Sequence, residues 1–495
     1  MAQPEAGLSL LSVAEMYRAD RLAMEGGVAG VELMERAGRA VAEAVMARET
    51  PGKTLVVCGP GNNGGDGFVA ARYLASAGWP VTLALLGRRE KLNGDAAHHA
   101  NLWEGEIHPL EAAPLDDAEI VIDALFGAGL QRPLEGAALD CVRQVNARGL
   151  PAYGVDVPSG LSGDSGAVLG ETALRAKATI TFFRMKPGHL LLPGRQLCGE
   201  VVVADIGIPA GVLDEIGPLC QRNAPDLWWD LIPVRRADSH KYHFGHTLIS
   251  VGDEVAGAAM LAGRAALRVG AGLVTLATPP EAWGPCVGAL PTAICRRVAA
   301  EADFAALLSD RRINAVLIGP GSGVGEKTRR RVGDAAGDGR RLVLDADALT
   351  SFAENPDVLF PLAVDRKILT PHEGEFARLF ADLSGDKLTR ARDAAARASA
   401  VVLLKGADTV IAEPSGRAVI CDNAPPWLAT AGAGDVLSGL AAGLLAQGLP
   451  CFEAAAAAAW IHGAAAARFG PGMIAEDLPD ALPSVLATER SRATS

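Results

Sequence analysis

The amino-acid sequence predicts an α/β protein made of two tandem α/β domains. Its 495 residues exceed one ordinary domain and suit two or three. Short apolar runs bounded by glycine alternate with helical segments, which is typical of parallel sheets covered on both faces. The alternation stops in the irregular, proline-containing segment 223–246 and then resumes. We place the domain seam near 215–240, which gives one domain at 1–217 and a second at 225–495.

The first domain is predicted to open with helix over residues 11–50 and to continue as βαβ units. Its six predicted strands are "TLVVCG" (54–59), "VTLALLG" (81–87), "EIVIDALFG" (119–127), "AYGVDVPSG" (152–160), "ATITFF" (178–183) and "VVVADIGIP" (201–209).

The second domain repeats this alternation without an evident sequence repeat. Its predicted strands are "HTLISVG" (246–252), "GLVTLATP" (272–279), "AVLIGPG" (315–321), "RLVLDADAL" (341–349), "KILTPHEGEF" (367–376) and "AVVLLKGADTVI" (400–411). After the last run, a Pro-Ser-Gly turn leads into "RAVICD" (417–422). This turn predicts one antiparallel hairpin at an edge of the sheet.

Composition excludes several classes of function. A net charge of −12 argues against a nucleic-acid partner, which normally meets a basic face. The eight cysteines form no CxxC pair, and the first 30 residues contain no apolar signal core, so we expect a reducing, cytoplasmic location. The alanine-rich stretch 454–467 is too short and too weakly apolar for a membrane span and predicts a buried helix.

The loop "GPGNNGGDGF" (59–68) follows a strand and opens a helix. Its glycines fit GxGxxG, but the acidic residue that binds ribose is missing from the end of the next strand, so a dinucleotide site is weakly indicated. Asn62, Asn63 and Asp66 offer oxygen ligands for a cation or a sugar hydroxyl. A second interpretation is that these residues cap the next helix.

Two further strands of the first domain also end in polar residues. Asp123 precedes a glycine loop that contains Arg132, and Asp156 and Ser159 lie in "GVDVPSG" (154–160). Ligands bind at the carboxyl ends of strands in open parallel sheets. Three polar loops at one edge therefore favour a site over three unrelated turns.

The second domain has similar loops. "GPGSGVGEKT" (319–328) fails the Walker A pattern because Glu326 stands where glycine is needed. His372 in "TPHEGEF" and Lys405 in "LLKGADTVI" follow strands, and "ATAGAGDVLSG" (429–439) leads into a helix. Backbone N–H groups at such a helix start can bind phosphate, and Asp435 can accept a proton from an attacking hydroxyl. The alternative is that Asp435 caps the helix.

In the first domain, "GNNGGDG", "DALFGAGLQRP", "DVPSGL" and "FFRMKPGHLLLPG" resemble the epimerase domain of the NAD(P)H-hydrate repair enzymes. The resemblance implies a Rossmann-like fold that interconverts the R and S hydrates of NADH and NADPH (NADHX and NADPHX). It also implies a potassium ion bound by Asn63, Asp123 and Ser159, with Asp156 as the catalytic residue. The implied substrate-binding residues are Asn62, Asn63, Gly64, Gly65, Asp66, Gly127, Ala128, Gly129, Leu130, Gln131, Arg132, Pro133 and Asp156.

In the second domain, "GAAMLAGRAALRVGAGLVTLAT", "GPGSG", "LDADAL", "LTPHEGEF", "LLKGADTVI" and "LATAGAGDVLSG" resemble the ribokinase-like dehydratase domain of the same enzymes. The resemblance implies ADP as phosphoryl donor, Mg²⁺, and Asp435 as the catalytic base. The implied hydrate contacts are Ala258, Gly321, His372 and Asp435. The implied nucleotide contacts are Lys405, Gly406, Ala407, Asp408, Thr409 and Gly434.

The leading hypothesis from the sequence is a bifunctional repair enzyme that epimerises the hydrates and then dehydrates the S hydrate after transient phosphorylation. We expect NADHX, NADPHX and ADP as small-molecule partners, a homo-oligomer, and no nucleic-acid or membrane partner. The alternative is a small-alcohol kinase of the ribokinase-like superfamily whose first domain binds a ligand without catalysis.

Overall fold

A computed structural model describes residues 7–253, 255–337 and 339–493. The chain divides into two compact units, Met1–Cys220 and Gln221–Ser495. We describe each unit by itself.

The first unit contains a seven-stranded parallel sheet with the order β4-β3-β2-β5-β6-β7-β8. The strands of this sheet are β2 (Thr54–Cys58), β3 (Val81–Leu85), β4 (Ile107–Pro109), β5 (Ile120–Ala124), β6 (Ala152–Val155), β7 (Ala178–Phe182) and β8 (Glu200–Ala204). A two-residue strand, β1 (Ser9–Leu10), precedes them in the chain and is not part of this sheet. The helices are α1 (Val13–Glu25), α2 (Gly30–Met46), α3 (Asn62–Ser76), α4 (Gly94–Asn101), α5 (Gly136–Arg148), α6 (Gly194–Leu197) and α7 (Val212–Ile216).

The six strands predicted for this unit are present, and their central members are buried. The sequence missed β4, a three-residue strand at the edge of the sheet. Its residues include a histidine and a proline, so it lacks the apolar run that marks an internal strand.

A capping box fixes the start of α1. The Glu15 N–H donates to the Ser12 hydroxyl at 3.3 Å, and the Ser12 N–H donates to the Glu15 carboxylate at 2.7 Å. These bonds satisfy N–H groups that the first helical turn leaves free. They set the starting position of the helix that carries Tyr17 and Asp20.

Among the described residues of the second unit, nine strands lie side by side in the order β18-β17-β16-β15-β14-β13-β10-β11-β12. Beginning with a strand that spans the division between the units, its strands are β9 (Cys220–Arg222), β10 (His246–Ser250), β11 (Leu273–Thr278), β12 (Ile294–Arg297), β13 (Ala315–Ile318), β14 (Arg341–Leu344), β15 (Lys367–Leu369), β16 (Val401–Leu404), β17 (Val410–Ala412) and β18 (Ala418–Ile420). Its helices are α8 (Ala256–Arg268), α9 (Pro280–Ala289), α10 (Glu301–Leu307), α11 (Glu326–Ala336), α12 (Asp347–Thr350), α13 (Glu373–Leu379), α14 (Lys387–Ala398), α15 (Ala433–Ala446), α16 (Cys451–Phe469) and α17 (Leu478–Ala493).

Strands β10 to β16 are parallel, and β17 and β18 form the predicted antiparallel hairpin. The sequence missed β12, the "ICRR" strand at one edge, because two of its four residues are charged. The alanine-rich segment forms the buried helix α16, as predicted. Among the described residues, no helix is long and apolar enough to cross a membrane.

Helix α15 is almost entirely buried and packs closely on α8. Glycine makes this approach possible, because a Cβ atom at Gly439 would collide with the backbone of Ala262, and one at Gly443 would lie 2.7 Å from Val269 Cγ1. This packing fixes the start of α15, where Asp435 lies.

Candidate active sites

A cavity of about 680 Å³ lies in the first unit at the carboxyl ends of the central strands. Among its lining residues are most of those predicted for the first site: Asn62, Asn63, Asp66, Gly127, Ala128, Gly129, Leu130, Gln131, Arg132 and Asp156. Gly64 and Gly65 are buried inside α3, where Gly64 lies against Gly59 and Gly65 against Met34. Pro133 is exposed and lies outside the lining.

Asp156 follows β6 in a left-handed backbone conformation, with φ of 65°, which is uncommon for a residue other than glycine. Its Oδ1 lies 2.5 Å from Nζ of the buried Lys186 and accepts from the Thr181 hydroxyl at 3.0 Å. Its Oδ2 accepts from the Ala128 N–H at 3.0 Å. Burial opposes ionisation, but the Lys186 ammonium and these hydrogen bonds hold the pKa of Asp156 below its usual value.

His189 fixes the backbone of this site. Its Nδ1 accepts from the Lys186 N–H at 2.9 Å, so Nε2 carries the proton and donates to the Asp156 carbonyl oxygen at 2.9 Å. Burial and the nearby Lys186 lower the pKa of His189 to about 4, which keeps its imidazole neutral at pH 7.

Three other carboxyl groups, those of Asp20, Asp66 and Asp95, line the same cavity. Burial raises the pKa of Asp20 on α1 to about 6. Burial, followed by the charges of Asp156 and Asp20, raises the pKa of Asp66 on α3 well above its usual value. The cavity therefore holds Asp156, whose ionised form is favoured, beside Asp66, whose protonated form is favoured.

Asp123 and Ser159, predicted as potassium ligands, form a buried pair. Asp123 accepts from the Ser159 hydroxyl at 2.7 Å and from its N–H at 2.8 Å, and burial raises the pKa of Asp123 to about 6. Asn63 can donate to the Val155 carbonyl at 3.0 Å while accepting from the Gly127 N–H at 3.3 Å. No described residue gives Asp123 a cationic partner, so this oxygen-rich set fits a hard cation.

The second site is organised around Lys405 at the end of β16. Lys405 Nζ lies 2.8 Å from Asp345 Oδ1 and 3.7 Å from Glu375 Oε2. Burial opposes the charge of Lys405, but Asp345 and Glu375 outweigh it and raise the pKa of Lys405 above its usual value. Lys405 is therefore a fixed positive charge at the sheet edge.

Asp435 lies beside this charge, in the first turn of α15. The N-terminal cap of α15 is Gly432, with φ of 86°, and no side chain caps the helix. The cap interpretation of Asp435 is therefore wrong. Burial, followed by Asp345, raises the pKa of Asp435 to about 6, although Lys405 opposes the shift. Its carboxyl group is available to a ligand.

His372, predicted to contact the hydrate, caps α13. Its Nδ1 accepts from the Gly374 N–H at 2.9 Å and from the Glu375 N–H at 3.3 Å. Nδ1 therefore carries no proton, and the neutral ring carries it on Nε2. The side chain is 56% exposed, so this N–H can donate to a ligand.

The predicted nucleotide segment forms a tight turn after β16. The Thr409 hydroxyl accepts from the Gly406 N–H at 3.1 Å and donates to the Gly406 carbonyl at 2.7 Å. Asp408 is held by Lys387 at 2.7 Å, whereas Ala407 is exposed. A Cβ at Gly434 would lie 3.7 Å from Lys405 Nζ, so the two predicted nucleotide segments are adjacent.

Ala258 and Gly321, also predicted to contact the hydrate, lie on neighbouring segments. Gly321 has φ of 62° and approaches the Val255 carbonyl too closely for a larger residue. Ala258 is half-buried in the first turn of α8. One turn later, Leu261 approaches Gly432, so α8 connects this region to the start of α15.

Comparison with known proteins bears on both units. The family described as NAD(P)H-hydrate dehydratase matches residues 247–485, and the family described as YjeF-related protein N-terminus matches residues 30–188. A Coxiella burnetii protein named bifunctional NAD(P)H-hydrate repair enzyme Nnr is 37% identical over 473 residues, covering 93% of this chain and 95% of its own. A Salinibacter ruber protein of the same name is 38% identical, with coverages of 97% and 96%.

The chain belongs to the bifunctional NAD(P)H-hydrate repair enzymes. This membership confirms the resemblance seen in the sequence motifs. A ribokinase-like superfamily protein from Enterococcus faecalis has a TM-score of 0.50 and 25% identity, and the match covers 54% of this chain and 96% of that chain. The ribokinase-like prediction is confirmed for the corresponding part of this repair enzyme.

Sequence reasoning gave no role to several residues that now stand in the two sites: Asp20, Thr181, Lys186, His189, Asp345, Glu375 and Lys387. Signals for some were present, since Lys186 and His189 lie in "FFRMKPGHLLLPG" and Asp345 lies in "LDADAL". Asp20 lies in a helix far from any strand end and offered no comparable signal.

Proposed function

We propose that this protein repairs hydrated NADH and NADPH in two steps. The first domain, residues 1–217, interconverts the R and S hydrates. The second domain, residues 225–495, uses ADP to dehydrate the S hydrate. Relatives that carry the name of bifunctional repair enzyme over nearly the whole chain support both halves of the proposal.

One observation carries the dehydration step: the Asp435 carboxyl group beside Lys405, at the start of α15. Ionised Asp435 takes the proton of the hydrate's hydroxyl, whose oxygen attacks the terminal phosphorus of ADP. The bond to the AMP oxygen breaks, and AMP leaves. The phosphorylated carbon then loses phosphate and its neighbour loses a proton, which restores the ring double bond. The net products are NADH or NADPH, AMP and inorganic phosphate.

The nucleotide is assigned to the turn from Lys405 to Thr409 and to Gly434. Free N–H groups at the start of α15 and the charge of Lys405 favour an anionic phosphate there. The described residues contain no group of three or more His, Cys, Asp or Glu side chains that could hold a metal ion. Mg²⁺ would be held mainly by the nucleotide phosphates, where it would neutralise charge during transfer.

Epimerisation is assigned to the first-unit cavity, with Asp156 as a proton-transfer group. The hydrate carries its hydroxyl on a carbon next to a ring nitrogen, and the nitrogen lone pair helps the carbon–oxygen bond to open and reclose. Potassium is assigned to Asn63, Asp123 and Ser159, where it would offset the buried Asp123 charge.

The test uses the full-length protein with a mixture of R and S hydrates and follows the return of nicotinamide absorbance. With ADP, complete conversion is expected, because epimerisation supplies S hydrate continuously. Without ADP, no absorbance should return. Conversion of the S fraction alone would contradict the epimerase assignment, and phosphorylation of thiamine-pathway alcohols would instead favour the small-alcohol kinase.

The Asp435→Asn variant separates the two activities. Loss of the base should lower ADP-dependent dehydration of the S hydrate by about 100-fold or more. Exchange between R and S hydrates, followed by chromatography without ADP, should continue at the normal rate. A variant that dehydrates the S hydrate normally would refute Asp435 as the base. We further expect a cytoplasmic homo-oligomer without nucleic-acid or membrane partners.

A further inference from the structure

The Asp66 carboxyl group faces the first-unit cavity, and no described residue donates a hydrogen bond to it. The residue lies near the start of α3, is 8% exposed and lines the cavity. Its side chain forms no hydrogen bond with the described residues, so no hydrogen bond shifts the pKa of Asp66. Its carboxyl oxygens reach the cavity space, where a ligand can contact them. Such a group is expected to meet its partner in a bound ligand.

Asp156 differs from Asp66 in its surroundings. Three donors reach its two carboxyl oxygens: the Lys186 ammonium, the Thr181 hydroxyl and the Ala128 N–H. These donors stabilise the anion, so Asp156 can accept a proton but is poorly suited to supply one. Opening of the carbon–oxygen bond requires a proton for the departing hydroxyl group. A residue other than Asp156 must supply this proton.

The charges around Asp66 come from several elements. Titratable groups that line the same cavity or act electrostatically on this cluster are Tyr17, Asp20, Cys58, Asp95, Arg132, Asp156 and Lys186. Burial is the largest influence and raises the pKa of Asp66, and the negative charges of Asp156 and Asp20 raise it further. These influences favour the protonated form of Asp66. Asp20 is less buried than Asp66, and Tyr17 is 59% exposed.

We propose that Asp66 is the proton donor of the epimerisation and that Asp156 accepts the proton released when water returns to the ring. This inference rests on the proposed epimerase function. The Asp66 carboxyl gives its proton to the hydroxyl of the hydrate, and the carbon–oxygen bond breaks as the nitrogen lone pair forms a carbon–nitrogen double bond. The products of this step are water, an iminium cation and the Asp66 carboxylate.

Water then adds to the other face of the same carbon, and the electron pair of the double bond returns to nitrogen. The added water gives one proton to Asp156, which leaves a neutral hydrate of the opposite configuration. Transfer of that proton from Asp156 to Asp66 through cavity water restores the starting state. Atoms and charges balance, and no oxidant or reductant is needed.

The test measures R-to-S exchange in the full-length Asp66→Asn variant by chromatography without ADP. Asparagine has the shape and neutral charge of the protonated acid, so hydrate binding should be retained. We expect kcat for exchange to fall by about 100-fold or more while KM changes by about 3-fold or less. The Asp66→Glu variant retains an acid and should recover part of the lost rate.

Two control measurements distinguish failure of the Asp66 assignment from failure of the epimerase assignment. ADP-dependent dehydration of pure S hydrate by Asp66→Asn should match the wild type, which shows that the second unit is intact. The Asp117→Asn variant, which removes an exposed carboxyl group outside the cavity, should retain the exchange rate. Wild-type protein without any exchange would overturn the epimerase assignment itself. Wild-type exchange combined with near-normal kcat in Asp66→Asn would overturn the role of Asp66 alone.

Discussion

The Lys186 ammonium lies 2.5 Å from Oδ1 of Asp156, and the Lys186 side chain is 1% exposed. A buried lysine is tolerated when an opposite charge accompanies it. The pair favours the ionised form of Asp156, whereas two other carboxyl groups of the cavity, those of Asp20 and Asp66, are pushed toward their protonated forms. It therefore determines which acid of the site acts as a base.

Replacing Lys186 by methionine should damage both stability and epimerisation. The Asp156 carboxylate would lose its buried partner, which typically costs about 3–5 kcal/mol, so thermal unfolding of the variant should begin at a lower temperature. R-to-S exchange at neutral pH should fall by about 100-fold because Asp156 is no longer held ionised.

The Lys186–Asp156 pair should make the free energy of unfolding depend on pH. The native pKa of Asp156 is below its ordinary value, so its stabilising contribution is present above that ordinary value and is lost as pH falls through the native value. This acid-dependent loss should disappear in Lys186→Met. Lys177→Met, which breaks a half-exposed pair with Glu49, should cost about 1 kcal/mol or less. Equal effects of the two variants would contradict the role given to the buried pair.

Dehydration should increase as pH rises through about 6, since ionised Asp435 is the base and its pKa is about 6. Lys405 opposes that upward shift, so Lys405→Met should move the acidic limb of the kcat profile to higher pH. The measurement is kcat for S hydrate at saturating ADP across pH. Lys387→Met is the matched control, because Lys387 pairs with Asp408 and should leave the limb in place. An unmoved limb in Lys405→Met would argue against Asp435 as the titrating base.

A methyl group at position 127 should disturb the first site. A Cβ atom at Gly127 would lie 2.8 Å from the Asn63 amide and 3.0 Å from Asp156 Oδ2. Because displacement of a catalytic group by about 1 Å can cost 100-fold, we expect Gly127→Ala to lower R-to-S exchange by about that factor. Gly211→Ala, where no atom lies within 4 Å of the added methyl, should exchange at the normal rate. Normal exchange by Gly127→Ala would place the reacting ring elsewhere.

Removal of the Ser159 hydroxyl should weaken potassium activation. This hydroxyl donates to Asp123 at 2.7 Å and accepts from the Phe126 N–H at 2.9 Å. In Ser159→Ala, the potassium concentration for half-maximal exchange should rise by about 10- to 100-fold. Potassium titration of the exchange rate provides the measurement, with Ser165→Ala as a control in a nearby turn. A wild-type exchange rate that does not change with potassium concentration would refute the proposed ion site.

The sequence predicted most of the fold because buried parallel strands need long apolar runs, and such runs are visible without coordinates. It failed at β4 and β12, where short edge strands carry polar or charged residues. It also identified Asp156, Lys405 and Asp435, since each follows a predicted strand or a glycine loop. The side chains that contact these residues, such as Lys186 and Asp345, are distant in sequence and could not be derived in the same way.

The sequence by itself determined the two-domain α/β plan, the family and the strand ends that carry polar residues. The tertiary structure decided the ionisation of those residues. Lys186 reaches Asp156 across 30 positions of sequence, and Lys405 reaches Asp345 across 60. Asp66 and Asp156 have the same side chain, yet no described residue donates a hydrogen bond to the first, whereas the Lys186 ammonium holds the second. Ionisation depends on burial and on neighbouring charges, and only the folded chain brings such distant groups together.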